Sequence, residues 1–141
     1  YCVCVVFLYL SSTLLHAFFM HETASSILGV MDHSAIYLLI AGSYFPVCIV
    51  SLQDHPLGAY VAITEWILAF LGIAFCFVAE KVKIPYKIVF ELILYMGMGW
   101  LVVFTVGVAD FKEHVGPGGI DLLVYGGLMY TGGVIFFILE K

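Results

Sequence analysis

The stretch that decides the fold of this chain is IVFELILYMGMGWLVVFTVGV, at residues 88–108. It contains a single charged residue, Glu91. An α-helix needs about 20 mainly apolar residues to cross about 30 Å of hydrocarbon, and this stretch is long enough to do so. The strands of a membrane β-barrel would be shorter and would alternate in polarity, which this stretch does not. It therefore predicts a transmembrane helix.

Four further apolar runs extend this prediction to the whole chain. Together the runs predict five spans, at about residues 3–20, 34–52, 59–79, 88–108 and 120–139. Of the 141 residues, 64% are hydrophobic and 11% are charged, whereas an average soluble domain has about 25% charged residues. The predicted fold class is all-α, a polytopic transmembrane helical bundle that forms a single domain.

The charged residues limit the possible partners and orient the spans. The net charge is −5, with ten acids, five lysines and no arginine. A basic stripe that could follow a phosphate backbone is therefore missing, and we expect membrane lipid rather than nucleic acid as the partner. When the connections are assigned alternately to the two sides, four of the five lysines share one side. The positive-inside rule predicts that this side is cytoplasmic.

The two ends of the chain suggest that it is an internal piece of a longer protein. It starts with Tyr1 rather than Met, and the first apolar run begins almost at once. It stops at Lys141, where the last run ends.

The main candidate site consists of Ser12, His16 and Asp32. Ser12 and His16 are four residues apart and share one helical face. Asp32 precedes the second span on the same predicted side, so the three residues could approach one another. An imidazole and a carboxylate suit a zinc site in which the carboxylate orients a bound water. They suit equally a hydrogen-bonded cluster between helices, and zinc needs at least three protein ligands, so both interpretations stay open.

Other polar residues are weaker candidates. His21 and His33 lie at the same predicted interface, where we expect them to be solvated. Glu65 and Glu91 lie inside predicted spans, where we expect them to reach the membrane surface or to bond to a neighbouring helix. Pro46 is expected to kink the second span.

Several of these residues belong to motifs that resemble the hemolysin III family, which is grouped with the progestin and adipoQ receptors. The motifs are SSTLLH at residues 11–16, MDHSAIYLLIAGSYFP at 31–46, LYMGMGW at 94–100 and GGLMYTGGVIFF at 126–137. They follow the family's order along the chain, and the second is the most specific of them.

The resemblance implies a seven-helix bundle, of which this chain holds five helices. It also implies a zinc site near the cytoplasmic face. By this resemblance His16 is a zinc ligand, Asp32 holds a zinc-bound water, and Ser12 supports the site. The remaining ligands, a His-x-x-x-His pair, would lie beyond Lys141.

The function implied for the intact protein is hydrolysis of a lipid amide or ester, such as a ceramide, with zinc as cofactor and Asp32 as general base. One alternative is a receptor or regulator in which zinc is only structural. Another is a cytolytic pore, as the family name suggests.

Overall fold

The computed structural model describes residues 1–52, 54, 56–107 and 117–139. In these ranges the chain forms helices and no strands, so the predicted all-α class is confirmed. The helices are α1 (Cys2–Ala17), α2 (Glu22–Pro46), α3 (Gly58–Val82), α4 (Lys87–Val106) and α5 (Pro117–Leu139).

The length and surface of these helices fit a membrane. The helical segments Glu22–Ser51, Gly58–Val82 and Lys87–Val106 are long and apolar enough to span one, and the apolar stretches Cys2–Ala17 and Asp121–Phe136 are shorter. Large apolar side chains cover much of the outer surface; Phe104, for example, is 82% exposed. Lipid tails can cover such a surface, whereas water could not without cost. The chain is an integral membrane protein.

The start of α2 differs most from the prediction. The sequence places the span from residue 34 onward, but the helix already begins at Glu22. Two polar side chains before residue 34 have partners on other helices: Ser26 donates a hydrogen bond to Glu80, and His33 pairs with Glu91. Such partners cannot be seen in the sequence, so the polar composition suggested a connection. Helices α1, α3, α4 and α5 coincide with most of the other four apolar runs, and the bounds of all five spans stay predictions.

The helix type changes after Pro46, whereas the kink expected there stays a prediction. Directly after Pro46 the chain continues as a π-helical turn, Val47–Ser51. In this turn the Leu52 N–H donates to the Val47 carbonyl at 3.1 Å. Proline lacks the N–H that would bond to the carbonyl four residues earlier, and its ring crowds that carbonyl, so an irregularity near Pro46 is expected.

Helix α2 is the centre of the packing. It contacts α1, α3 and α4, while α5 packs against α4. Gly72 allows α3 to come close, because a Cβ atom there would lie 2.3 Å from the Tyr37 ring. The core has two parts. At the end where α3 meets α4, which we call the lysine end, buried residues surround Tyr37. The other part, the apolar cluster, contains Tyr44, Cys48, Leu52, Val61, Val102 and Val106.

Candidate functional site

A cavity of about 400 Å³ opens between α2, α4 and α5 towards the lysine end. Its charged and imidazole side chains are Asp32, His33 and Glu91. The rest of the wall is mainly apolar and includes Ile36, Ile88, Leu92 and Val134. We call this space the Asp32 cavity.

Glu91 and His33 form the strongest polar contact in the cavity. The His33 Nδ1 atom lies 2.6 Å from Glu91 Oε2, and the Glu91 side chain is only 2% exposed. The second carboxylate oxygen accepts a hydrogen bond from the Cys76 thiol at 3.3 Å. Because an ionised carboxylate only accepts hydrogen bonds, His33 donates through Nδ1, which fixes the orientation of the ring.

Tyr95 adds a second link between α4 and α2. Its hydroxyl donates to the backbone carbonyl of His33 at 2.9 Å. Its ring packs on the buried ring of Tyr37, with 4.4 Å between the centroids. The polar and aromatic contacts therefore hold the same segment of α2 against α4.

A further polar chain lies nearer the surface of the lysine end. The Ser26 hydroxyl donates to Glu80 Oε1 at 2.7 Å, and Lys87 Nζ lies 2.5 Å from Glu80 Oε2. These contacts join α2, α3 and α4. They are partly exposed, so each stabilises the fold only modestly.

The residues predicted to form the zinc site lie on α1 and α2. Ser12 is half-buried and His16 is exposed on α1, whereas Asp32 is half-buried on α2. Of the three, only Asp32 is among the described residues that line the Asp32 cavity. Their grouping into one site stays a prediction.

The described residues do not complete a zinc site. Within residues 1–52, 54, 56–107 and 117–139, no group of three or more His, Cys, Asp or Glu side chains could hold a metal ion. Zinc sites use at least three protein ligands. The imidazole of His16 is a suitable donor, but any zinc would need ligands from outside these ranges.

The pairing of His33 with Glu91 was not predicted from the sequence. His33 was expected to be solvated, whereas a bond to a neighbouring helix was one of the two outcomes expected for Glu91. The useful signal was position: both residues lie close to the ends of predicted spans on the same side of the membrane. Two ionisable side chains at similar depth are candidates for a pair.

A second cavity of about 470 Å³ adjoins the Asp32 cavity, since Tyr95 and Tyr130 line both. It lies between α2, α4 and α5, towards the apolar cluster. Its wall includes Val47, Trp100 and Leu122. We call the two adjoining cavities the amphiphilic space: its charged and imidazole groups lie in the Asp32 cavity, and apolar surface predominates in the walls of both.

A helical membrane bundle with an amphiphilic cavity among its helices defines this chain as a polytopic membrane protein. The family model described as "Haemolysin-III related" matches residues 1–141. The chain belongs to this family, and the resemblance found in the sequence is confirmed.

Named relatives agree with this membership. The chain is 39% identical to "Hemolysin-3" of Bacillus cereus, covering 100% of this chain and 61% of the relative. It is 38% identical to "Hemolysin-3 homolog" of Bacillus subtilis (strain 168), covering 99% and 62%. It is 32% identical to "Monocyte to macrophage differentiation factor" of Homo sapiens, covering 82% and 44%. The chain thus spans less than two thirds of the length of these relatives. No solved structure matches it.

Proposed function

We propose that the intact protein is a zinc-dependent membrane hydrolase that cleaves an amide or ester bond of a lipid. The supporting observation is the amphiphilic space between α2, α4 and α5. An acyl chain suits its apolar part, next to Trp100 and Leu122, while the polar bond to be cleaved suits its other end, next to Asp32. Ligand sites of membrane bundles are built in this way from side chains on facing helices.

Asp32 is the proposed general base. Its carboxylate takes a proton from the attacking water as the new carbon–oxygen bond forms. It then gives a proton to the leaving nitrogen or oxygen as the amide or ester bond breaks. Asp32 lines the cavity and is half-buried, so it can reach both a substrate and water. In this proposal Ser12 supports the site from α1.

The proposed zinc ligand in this chain is His16. Since the described residues do not complete a zinc site, the other ligands would come from outside them, as the resemblance implies. The positive-inside rule further supports a cytoplasmic position for Ser12, His16 and Asp32, because Lys81, Lys83 and Lys87 lie at the end of the bundle where α3 meets α4.

Elemental analysis of the detergent-purified protein tests the zinc proposal. We expect about one zinc per molecule in the full product of the gene, loss of zinc in His16→Ala, and none in the 141-residue chain. His21→Ala is the matched control, because His21 is an exposed histidine at the start of α2. No zinc in the full product would contradict the proposal and leave Ser12, His16 and Asp32 as an interhelical cluster.

Asp32→Asn separates hydrolysis from the other two functions. In a hydrolase, this variant loses turnover of a fluorescent ceramide analogue or a lipid ester but keeps its zinc. In a receptor or regulator with structural zinc, the unsubstituted protein has no turnover to lose. The name "Hemolysin-3" carried by one relative raises a pore as the third case, and dye leakage from vesicles without lipid cleavage would favour it.

A further inference from the structure

A second groove lies beside the turn between α3 and α4, at the lysine end. It has a volume of about 560 Å³, and its charged side chains are Glu80, Lys83 and Lys87. Its walls are otherwise mainly apolar and include Ile84, Val89 and Ile138. We call it the lysine groove. Ile88 and Leu92 line both this groove and the Asp32 cavity, so the two spaces are neighbours.

The lysine groove concentrates positive charge in an acidic chain. The net charge is −5, yet two of the five lysines, Lys83 and Lys87, line the groove against a single acid, Glu80. Lys83 is exposed, and within the described part of the chain it makes no ion pair. Lys87 forms an ion pair with Glu80, in which the Lys87 Nζ atom lies 2.5 Å from Glu80 Oε2. The groove therefore offers a cationic side chain that can accept an anionic partner.

The backbone of the turn holds two groove residues in an unusual conformation. Lys83 has φ 53° and Tyr86 has φ 62°, both in the left-handed region. Residues with a Cβ atom rarely adopt this region, and they do so mostly where the surrounding structure requires it. Both residues line the groove. Lys83 ends α3 and Tyr86 precedes α4, so the two left-handed residues form the turn between these helices.

The position of the groove indicates the kind of partner. It lies where the apolar runs of α3 and α4 end, which is the level of the lipid headgroups for helices that span a membrane. Its apolar wall continues along α4 through Ile88, Val89 and Leu92. A partner that is negatively charged at one end and apolar along its length matches both features.

We propose that the lysine groove binds an anionic phospholipid of the surrounding bilayer. Lys83 and Lys87 contact the phosphate, and an acyl chain lies along the apolar wall of α4. Lysines near a membrane surface attract anionic lipids in this way. The groove does not depend on the hydrolase activity proposed above, since it shares with the Asp32 cavity only the apolar residues Ile88 and Leu92.

Replacement of Glu80 tests whether the affinity for anionic lipid can be raised as well as lowered. Its carboxylate competes with a lipid phosphate for Lys87. Glu80→Gln removes this competing charge, so the affinity for anionic lipid should rise. A variant that merely unfolds would lose affinity, and a gain therefore cannot come from misfolding.

The experiment is a lipid titration of the full chain in neutral detergent, with bound lipid counted by native mass spectrometry. The probes are phosphatidylglycerol and phosphatidylcholine of the same acyl composition. We expect preferential binding of phosphatidylglycerol, a loss of about fivefold for each of Lys83→Gln and Lys87→Gln, and a gain of similar size for Glu80→Gln. Lys81→Gln is the matched control, since Lys81 is exposed but does not line the groove.

Three results would overturn the proposal. The first is equal binding of the two lipids. The second is an equal loss in Lys81→Gln, which would mean that charge acts without a specific groove. The third is displacement of phosphatidylglycerol by millimolar inorganic phosphate, which would make the free anion rather than the lipid the occupant.

Discussion

Two buried carboxylates on neighbouring helices have very different surroundings. Glu91 on α4 is 2% exposed, and Glu65 on α3 is fully buried. Glu91 has a partner for each oxygen, His33 at 2.6 Å and Cys76 at 3.3 Å. Within the described part of the chain, neither oxygen of Glu65 has a hydrogen-bond partner.

Glu91 and Glu65 differ because they lie in different parts of the core, where the neighbouring side chains are different. Around Glu91, α2 supplies His33 and α3 supplies Cys76 as polar partners. Glu65 lies instead near Tyr44 and Cys48, two members of the apolar cluster. A buried acid with partners links helices, whereas a buried polar group without them costs free energy. The two residue types are identical, so the role of each is set by its neighbours.

Replacement of Glu91 by leucine should have the largest effect on stability. Glu91→Leu leaves His33 and Cys76 without their shared acceptor. We expect the free energy of unfolding to fall by about 3 kcal/mol, at the lower end for a broken buried pair because His33 is partly exposed. Denaturant titration of the protein in detergent micelles measures it. The control is Glu91→Gln, which keeps an acceptor and should lose less; an unchanged stability in Glu91→Leu would mean that the pair is not a link.

A methyl group at Gly72 should be nearly as damaging. A Cβ atom there would lie 2.3 Å from the Tyr37 ring, and that ring packs against Tyr95. For Gly72→Ala we expect a loss of about 2 kcal/mol, since overpacking forces α2 and α3 apart. Gly97→Ala is the matched control, because a Cβ atom at Gly97 would meet nothing within 4 Å. Equal stability of the two variants would show that α2 and α3 do not need their close approach.

The helical class could be predicted from the sequence, whereas the partners of buried polar residues such as Glu91 and Glu65 could not. Hydrophobic runs predicted the helical class correctly, because crossing the hydrocarbon requires apolar length whatever a helix contacts. The helical conformation of residues 22–33 was not predicted, because Ser26 and His33 are satisfied by Glu80 and Glu91, far away in the sequence. Asp32 was a candidate from its motif, but its cavity depends on how α4 and α5 pack. Composition could not distinguish Glu65 from Glu91.

Replacement of Glu65 should change stability in the opposite direction from Glu91. Methionine has a similar length and no polar oxygen to bury. We expect Glu65→Met to raise the free energy of unfolding by about 1 kcal/mol. In Glu65→Gln a polar group stays buried, so this control should gain less. A clear loss in Glu65→Met would mean that Glu65 contributes to the fold, and the contrast with Glu91 would then fail.

The smallest effect should come from the exposed polar chain at the lysine end. Ser26→Ala removes the hydrogen bond to Glu80, which also holds Lys87. Because water can replace this bond at an exposed position, we expect a loss of about 0.5 kcal/mol. Ser25→Ala is the matched control on the same helical turn. The same denaturant titration tests whether burial sets the size of the change in the free energy of unfolding. A loss as large as that of Glu91→Leu would mean that location at the lysine end matters more than exclusion of water. A small loss would leave the buried partners of Glu91 as the stronger connection between α2 and α4.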